Sequence, residues 1–343
     1  MTTRTPARQL RTQADLAKLA GVSTVTIHKA LSNQSGVSDV MRQRIHGLAA
    51  KHGYRLNTHA KAMRQGRCGN IALLLSTQPV RSHLPVDLVL GIQDELEKHD
   101  CHMSIARLPD QKLTDEGFVP KVLREMFADG LLINYTDHMP RKMLDLIARY
   151  RIPSVWINSR QAGDCVYPDD EAAGREATRR LIELGHQRIA FVDFSHDLNV
   201  DPQAHFSAAA RRDGYAAAMV DARLTPRIAQ RSVLYKDRAQ AAFDLLQSPD
   251  RPTAIVAYSG PVAIAILVAA ARLQLEVPRD LAIVSFGDSR IVDPGVIIDT
   301  LIIPQAEMGR IGVEMLLLKI QDPTRVLPAR AVPFTLAQGQ TCQ

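Results

Sequence analysis

The chain has few of the residues that build metal centres, disulfide frameworks and membrane segments. Its 343 residues include only four cysteines, at positions 68, 101, 165 and 342, and these lack the spacing of a metal site. Four scattered thiols predict a reduced, cytoplasmic protein. The longest apolar run, at 262–271, is too short for the ~20 residues of a membrane span, and the first residues lack the apolar core of a secretory signal. We therefore expect neither a membrane partner nor a secreted protein.

Catalytic signatures are also absent from the sequence. It has no glycine-rich phosphate loop ending in lysine, no serine elbow and no His-Glu-x-x-His pair, and its eleven histidines are scattered. Asp169 and Asp170 adjoin in the sequence, so their side chains point in different directions and do not form an obvious catalytic pair. We predict a binding protein with no catalytic residue, no metal site and no cofactor, rather than an enzyme.

Positive charge is concentrated at one end of the chain. Residues 1–67 hold twelve Lys or Arg and two acidic residues, a net charge of +10. The other 276 residues hold 30 basic and 34 acidic residues, a net charge of −4. A basic segment on a mildly acidic body is expected when only that segment meets phosphate groups. An unstructured basic tail fits poorly, because apolar residues recur at helical spacing beyond residue 11.

Residues 12–31 are typical of two short helices joined by a tight turn. Thr12 is a candidate cap for the first helix, with Asp15 as its capping-box partner, and Ser23 is a candidate cap for the second. Gly21 stands at the turn, where a residue free to adopt positive φ is favoured. The apolar positions predicted to join the two helices are Leu16, Leu19, Ala20, Ile27 and Leu31.

The second of these helices leaves four side chains pointing outward, namely Thr24, Val25, His28 and Lys29. A helix-turn-helix places its second helix in the major groove of DNA, where such side chains meet base edges. A third helix is predicted at 39–52. Its predicted buried face is Met41, Ile45, Leu48 and Ala49, and its predicted solvent face is Arg42, Arg44, Lys51 and His52. The alternative is a plain helical hairpin in a surface bundle.

The segment 54–67 contains helix-forming residues and four cations but is too short to form a stable helix alone in water. Two interpretations remain open. It is either a linker that becomes helical when a partner copy and DNA supply contacts, or a flexible tether.

Beyond residue 67, short apolar runs alternate with amphipathic stretches in two successive rounds. This α/β pattern predicts two parallel-sheet lobes that face each other across a cleft, and small molecules bind at the carboxyl ends of such strands. The predicted strands are 70–76, 101–107, 130–134, 153–157, 188–194, 231–235, 253–257 and 281–286, and residues 165–168 are predicted to cross between the lobes. The predicted helices are 86–99, 113–127, 141–150, 171–185, 206–221, 237–247 and 261–274. The apolar residues of 305–320 supply either a subunit interface or core.

Five segments, taken in order along the chain, resemble the lactose-repressor/galactose-repressor (LacI/GalR) family. They are residues 14–23 (ADLAKLAGVS), 70–76 (NIALLLS), 128–133 (ADGLLI), 184–190 (LGHQRIA) and 277–284 (VPRDLAIV). The resemblance implies a small all-α helix-turn-helix head at 1–56, a hinge helix or linker at 57–67, and a two-lobed, periplasmic-binding-protein-like domain at 68–343 that binds an effector and dimerises. Lobe 1 is predicted at about 68–166 and 297–325, and lobe 2 at about 167–296 and 326–343.

The resemblance also implies the DNA contacts. Thr24, Val25 and Lys29 match positions of the family's recognition helix that contact bases, and Val25 can touch a thymine methyl group. The remaining predicted contacts are Thr26, His28, Asn57, Ala60, Lys61 and Met63. Among these, Ala60 and Met63 match hinge-helix positions that enter the minor groove, where an apolar wedge kinks the duplex. The family often has Leu in place of Met63 and Pro in place of Leu56.

Effector contacts are predicted at polar residues that follow strands and at one arginine. The arginine is Arg211, three residues before Gly214-Tyr215, which matches an effector-contacting arginine of the family. The other candidates are Ser76, Tyr135, Asp169, Asp170, Ser259 and Asp288. Trp156, Phe194, Phe206 and Tyr258 are candidates for stacking on a ligand or for core packing. The family often has an acid in place of Gly287, so the effector is either a sugar or sugar derivative, or a larger, more acidic or differently bound metabolite.

The sequence therefore predicts a transcription regulator, a repressor of the LacI family acting in carbohydrate metabolism. A homodimer would place two recognition helices on an approximately palindromic double-stranded operator, and effector binding would change operator affinity by allostery. The alternatives are a solute-binding protein of a transport system and a sugar-modifying enzyme with a nucleic-acid-binding head.

Overall fold

The computed structural model describes residues 12–32, 34–54, 67–78, 81–108, 120–125, 127–135, 140–201, 204–292 and 295–342. The chain divides into two compact units, Met1–Cys68 and Gly69–Gln343. Among the described residues, no helix is both long and apolar enough to cross a membrane.

The described residues of the first unit form three helices, and the first two begin at the capping residues that the sequence predicts. They are α1 (Gln13–Ala20), α2 (Thr24–Leu31) and α3 (Asp39–Lys51). The Thr12 hydroxyl accepts the backbone N–H of Asp15 at 3.1 Å, and the Asp15 carboxylate accepts the Thr12 N–H at 3.1 Å, so the capping box is confirmed. Ser23 caps α2 in the same manner, through the N–H of Thr26. Gly21 has a φ of 70°, a left-handed conformation that lets α1 end in a tight turn.

A small apolar core joins the three helices. Its buried members are Leu16, Ala17, Ala20, Ile27, Ala30, Ile45, Ala49 and Tyr54. Two details differ from prediction. Ala17 is buried in place of Leu19, whose side chain is 43% exposed, because the buried face of α1 is rotated by part of a turn. Arg42 does not lie free in solvent: it is half-buried and hydrogen-bonds to backbone carbonyls at the end of α2.

The second unit consists of two lobes, each built on one six-stranded sheet with helices on both faces. The strands of lobe 1 are β1 (Asn70–Ser76), β2 (His102–Leu108), β3 (Gly130–Asn134), β4 (Ser154–Ile157), β5 (Cys165–Pro168) and β11 (Arg330–Val332). The strands of lobe 2 are β6 (Ile189–Asp193), β7 (Arg227–Gln230), β8 (Ala254–Ala257), β9 (Ala282–Gly287), β10 (Asp299–Ile302) and β12 (Thr335–Ala337). All pairings are parallel except that of β10 with β12.

Helices cover both faces of each sheet, which explains why the central strands β1, β3, β6 and β8 are buried along nearly their whole length. The helices are α4 (Val86–Lys98), α5 (Lys121–Arg124), α6 (Arg141–Tyr150), α7 (Asp170–Glu183), α8 (Ser207–Asp221), α9 (Arg238–Leu246), α10 (Gly260–Arg272) and α11 (Gln305–Gln321). In β1, Leu73 faces the core formed with α4 and α11, whereas Leu74 faces the opposite core with α6. The apolar side chains of α11, including Met308 and Leu316, belong to the first of these cores, so most of this segment is core.

In lobe 2, α7 and α8 approach closely enough that their backbones touch. A Cβ atom at Gly214 would overlap the carbonyl oxygen of Glu171, and a Cβ at Gly174 would overlap that of Arg211. Glycine is required at this crossing because no side chain fits between the two helices. The close approach brings the start of α7 next to the middle of α8.

Strand pairing corrects the predicted lobe boundaries. The predicted lobe 1 segment 297–325 includes β10, which pairs with β9 in lobe 2. The predicted lobe 2 segment 326–343 includes β11, which pairs with β5 in lobe 1. The chain therefore crosses between lobes after β5, between β10 and α11, and between β11 and β12. Three crossings are present as predicted, but the second and third lie later in the chain.

The strands β5, β10, β11 and β12 were not predicted as strands, and two predicted elements differ from the observed ones. The strand predicted at 231–235 is found at Arg227–Gln230, because Val233 packs as an irregular segment against the lobe 2 core. Of the helix predicted at 113–127, only the part from residue 120 falls largely within the described residues, and it contains the short helix α5.

Candidate nucleic-acid interface and ligand cavity

Helix α2 presents a polar, exposed face with one prominent apolar side chain. Thr24 is exposed and Val25 is 61% exposed, the state in which an apolar side chain can contact a partner surface. Thr26 is half-buried, and its hydroxyl lies 2.9 Å from the hydroxyl of Ser23, so it also supports the cap of α2. The structure therefore brings these predicted residues to the start of one helix.

His28 and Lys29, near the end of the same helix, are both half-buried. The Nδ1 atom of His28 is buried and has no hydrogen-bond partner among the described residues. Buried nitrogen atoms of this kind are normally paired, and because protein covers this one, a partner on another molecule could not reach it in this arrangement. The other predicted contacts, Asn57, Ala60, Lys61 and Met63, lie outside the described residues.

The second unit contains a cavity of about 540 Å³. Its volume lies within the range of small-molecule sites in proteins. Residues of both lobes line it, together with Ile303 at the second crossing between the lobes. The other lining residues are His83, Asn158, Pro168, His205, Ser207, Arg211, Tyr258, Ser259, Gly260, Pro261, Phe286, Gly287, Asp288, Ser289, Ile291 and Gln305.

Arg211 is the most firmly held polar side chain of this cavity. It is 5% exposed; its Nε atom donates to Asp170 at 2.7 Å, and its Nη1 atom donates to the backbone carbonyl of Tyr258 at 2.7 Å. Its guanidinium lies over the rings of Phe286 and Tyr258, at 4.5 and 4.8 Å from their centroids. No hydrogen bond to Nη2 is found among the described residues. The side chain is therefore fixed and still has donor capacity for a ligand.

Asp170 supports Arg211 from behind instead of lining the cavity. Burial raises the pKa of the Asp170 carboxyl, although the charge of Arg211 and its hydrogen bond oppose that rise. Only one of its oxygens is paired, since Oδ2 is buried without a partner. The adjacent Asp169 has a different role, because its carboxylate accepts the N–H of Ala172 and caps α7.

Asp288 connects the two lobes across the cavity. It follows β9 in lobe 2, and its Oδ2 atom lies 2.7 Å from Nε2 of His83 in lobe 1. Its Oδ1 atom accepts from Gln305 at 2.6 Å. Burial opposes ionisation of Asp288, but the bonds from His83 and Gln305 prevail and lower its pKa. The bond to Asp288 raises the pKa of His83 against the effect of burial. Both oxygens of this carboxylate are therefore occupied.

A chain of hydrogen bonds forms another part of the cavity wall. The Ser207 hydroxyl lies 2.7 Å from the Tyr258 hydroxyl and 2.8 Å from Nδ1 of His205. Nε2 of His205 lies 3.0 Å from the backbone carbonyl of Asn158, which belongs to lobe 1. Since a carbonyl only accepts, Nε2 carries the proton, and Nδ1 of a neutral His205 accepts from Ser207. This chain is a second polar connection between the lobes.

The structure does not bring all predicted effector contacts to the cavity. Of the seven, Arg211, Ser259 and Asp288 line it. Tyr135 does not, because its side chain is fully buried in the apolar core of lobe 1. Ser76 is buried at the end of β1, where its hydroxyl accepts the N–H of Gln78 at 2.9 Å.

Of the aromatic residues considered for stacking, only Tyr258 lines the cavity. Phe194 and Trp156 pack in or against the cores, and Phe206 contacts the ring of Tyr167.

Several lining residues were missed by the sequence interpretation, chiefly His83, Asn158, His205, Ser207 and Gln305. Asn158 alone carried a usable signal, because it directly follows a predicted strand. The others lie in loops or at a helix start, where polar residues are common for reasons unrelated to ligands. Among the described residues, no group of three or more histidines, cysteines and acids is placed to hold a metal ion.

Comparison with protein families gives two matches in this chain. Residues 12–57 match the model of bacterial regulatory proteins of the lacI family, and residues 178–342 match a periplasmic binding protein-like domain. Among curated proteins, the ribose operon repressor of Haemophilus influenzae is 26% identical, over 92% of this chain and 93% of that protein. The transcriptional repressor PurR of Aliivibrio salmonicida is 24% identical, over 91% of this chain and 93% of that protein.

Solved structures show the same fold. The lac repressor dimer bound to operator and the anti-inducer ONPF superposes with a TM-score of 0.75 at 19% identity, over 96% of this chain and 98% of that one. A LacI-family transcriptional regulator from Mycobacterium smegmatis gives a TM-score of 0.60 at 25% identity, over 79% of this chain and 98% of that one. The chain therefore joins a DNA-binding domain of the lacI family of bacterial regulatory proteins to a periplasmic binding protein-like domain, and it aligns over nearly its full length with repressors that have this arrangement.

Proposed function

We propose that this protein is a sequence-specific DNA-binding transcription repressor whose operator affinity changes when a small metabolite binds between the lobes of its second unit. The observation that carries the proposal is the presence, in one chain, of a capped helix-turn-helix with an exposed α2 and a cavity between two lobes into which Arg211 points a fixed cation. Such a repressor acts in the cytoplasm, where its DNA lies, and it needs no catalytic group.

In this proposal, α2 enters the major groove. Val25 contacts a thymine methyl group, Thr24 and Lys29 donate to base edges or phosphate, and Thr26 and His28 support or extend these contacts. The hinge residues proposed to contact the minor groove are Asn57, Ala60, Lys61 and Met63. The likeness to the lac repressor, which was solved as a dimer bound to its operator, supports a homodimer and an approximately palindromic site.

The proposed effector is a sugar or sugar derivative rich in hydrogen-bond acceptors. Among the described residues that line the cavity, Asp288 is the only acid, and His83 and Gln305 occupy both its oxygens. Arg211, in contrast, keeps an unused Nη2 donor. Neutral sugar hydroxyls usually donate to carboxylates, whereas a carboxylate on the ligand would accept from Arg211. We therefore place sugar acids ahead of neutral hexoses as candidate effectors.

A binding experiment across salt tests the proposed function. Operator fragments are first selected from random duplexes. The affinity for the selected site and for a scrambled duplex is then measured between 50 and 200 mM salt. A protein that contacts 6–10 phosphates loses affinity by a factor of ~10³–10⁵ over this span. A repressor prefers the selected site by at least ~10³. A solute-binding protein of a transport system would show no preference for any duplex, and this result would refute the proposal.

The effector is tested separately by thermal shift. Sugar acids, neutral hexoses and nucleosides are compared at equal concentration, since a ligand at 100 times its Kd adds about 2.7 kcal/mol of stability. A shift with hexoses and none with sugar acids would reject the proposed effector class and leave the DNA-binding function untouched.

A further inference from the structure

Donors from beyond the recognition helix α2 satisfy its last carbonyl groups. An α-helix leaves its final carbonyls without intrahelical donors, so backbone N–H groups of the following chain or side chains must supply them. Here the N–H of Ser32 donates to the carbonyl of His28 and the N–H of Gln34 to that of Lys29, each at 2.9 Å. The helix is also only eight residues long and begins with Thr24-Val25-Thr26-Ile27, four β-branched residues in sequence. Such residues are weak helix formers. Its geometry therefore depends on groups outside the helix.

Arg42, on α3, adds side-chain donors to these backbone bonds. Its Nη1 atom donates to the carbonyl oxygens of Lys29 at 3.3 Å and Ala30 at 3.2 Å. Its Nη2 atom donates to the carbonyl of Gln34 at 2.7 Å and, over a longer 3.5 Å, to that of Val37. One planar cation thus joins the last turn of α2 to both sides of the loop that leads into α3. It also places a positive charge at the negative end of the α2 dipole.

We propose that Arg42 is a positioning residue for sequence recognition. It fixes the last turn of α2, and therefore the side chains of His28 and Lys29, without itself contacting a base. The proposal rests on the proposed DNA-binding function, because a fixed recognition helix matters only if α2 contacts bases. Non-specific binding depends on total charge near phosphate and tolerates a loose helix, whereas base contacts demand a fixed one. Loss of Arg42 should therefore reduce discrimination more than it reduces overall affinity.

A direct phosphate contact by Arg42 is the rival explanation, and the two differ in measurable ways. A phosphate contact adds about 0.9 to the slope of log affinity against log salt and affects all duplexes alike. Arg42→Lys keeps the charge, so a phosphate contact would largely survive this change. A lysine ammonium cannot present the planar fork that spans the helix end and the loop, so positioning would be lost.

The test uses the full-length chain, a selected operator and a scrambled duplex of equal length. Arg42→Lys and Arg42→Met are compared with wild type and with Arg44→Met, a matched control on the exposed side of the same helix. For both Arg42 variants we expect the specific-to-non-specific affinity ratio to fall at least about tenfold, the scale of one or two hydrogen bonds to a charged group. For Arg42→Lys we expect the salt slope to stay unchanged, and for Arg44→Met we expect an unchanged ratio.

Three results would overturn the proposal. The first is an Arg42→Lys ratio within twofold of wild type. The second is an Arg42→Met variant that loses specific and non-specific affinity equally while its salt slope falls by about one, which identifies a phosphate contact. The third is equal loss of both affinities by Arg42→Lys together with loss of helical circular dichroism, which identifies a folding role only. If wild type itself shows no preferred duplex, the proposed function fails instead.

Discussion

The buried pair of Arg211 and Asp170 allows a quantitative prediction about the second unit. Arg211→Met keeps much of the side-chain length but removes the charge and both of its hydrogen bonds. The Asp170 side chain is 0% exposed, and its Oδ2 atom is already unpaired, so the variant leaves a buried carboxylate without a counter-ion. The change therefore tests electrostatics more than packing.

The expected cost follows from the burial of both partners. Removing one member of a buried ion pair costs about 3–5 kcal/mol, and the side chains here are 6% and 0% exposed, so little solvent screening reduces that figure. In a unit of this size, each kcal/mol lowers Tm by about 2–4 °C. We therefore expect Arg211→Met to lower Tm by on the order of 10 °C at pH 8.

The loss should shrink at low pH, because protonation of Asp170 removes the uncompensated charge. Burial already raises the pKa of Asp170 above its ordinary 3.8, and loss of Arg211 removes the groups that oppose this rise. A group with a raised folded-state pKa favours folding most below its unfolded pKa and loses that contribution as pH rises through the folded pKa. The Tm gap between wild type and Arg211→Met should accordingly widen from pH 5 to pH 8.

The double variant Asp170→Asn/Arg211→Met provides the matched control, since it removes the carboxylate as well. Its Tm gap to wild type should be smaller than that of Arg211→Met and nearly independent of pH. Scanning calorimetry at pH 5, 6, 7 and 8 measures these gaps. A gap for Arg211→Met that is equal at pH 5 and pH 8, or a double variant no more stable than the single one, would refute the electrostatic reasoning. Arg211→Met should also lose the effector-induced Tm shift, whereas its operator affinity should stay unchanged.

Three further predictions test other contacts. His83→Gln should lower Tm most between about pH 3.8 and 6.5 and hardly at all near pH 9. The stability due to the raised pKa of His83 is lost as pH rises through that pKa, and the stability due to the lowered pKa of Asp288 is lost in acid. Because His83 is 64% exposed, the effect should stay within about 1 kcal/mol, and a Tm gap that grows with pH would contradict the prediction. Gly214→Ala should destabilise the second unit by about 1–3 kcal/mol or more and weaken effector binding. The control Gly47→Ala, on the exposed side of α3, should be neutral or stabilise the head by up to about 1 kcal/mol. Equal melting curves for the two variants and wild type would argue against the close contact of α7 and α8. Thr12→Ala should lower the stability of the head by about 1 kcal/mol in a thermal melt. Ser38→Ala should lower it by less, because the cap bond of Ser38 is longer, at 3.4 Å. The reverse order would contradict the capping-box assignment.

The head could be predicted closely because its determinants are local. The capping bonds of Thr12 and Ser23 join residues three positions apart, and the turn at Gly21 depends on its own φ. The role of Arg42 could not be predicted in the same way. Its acceptors are backbone carbonyls five to thirteen residues away, and a carbonyl exists at every position of any sequence. Only the packing of α3 against α2 determines which carbonyls it meets.

The ligand cavity was predicted less well because its residues are distant in the chain. His83 and Asp288 are separated by 205 positions and meet only because both lobes border the same cavity. Tyr135 shows the converse case. It follows β3 as a cleft residue should, yet its ring packs against the apolar core of lobe 1. Position after a strand brings a residue to the correct edge of the sheet, but local backbone direction decides whether its side chain faces the cavity.

The lobe boundaries explain how occupancy of the cavity can act on the relation between the lobes. Strands β10 and β11 have only four and three residues, too few for periodicity to assign them to a lobe, so only their pairing with β9 and β5 reveals where the chain crosses. Two of those crossings border the cavity, at Pro168 and at Ile303, and Gln305 directly follows the second. A ligand in this cavity would therefore lie against two of the segments that join the lobes. Because the cavity lining and the crossings share residues, we expect ligand binding to change how the two lobes are arranged.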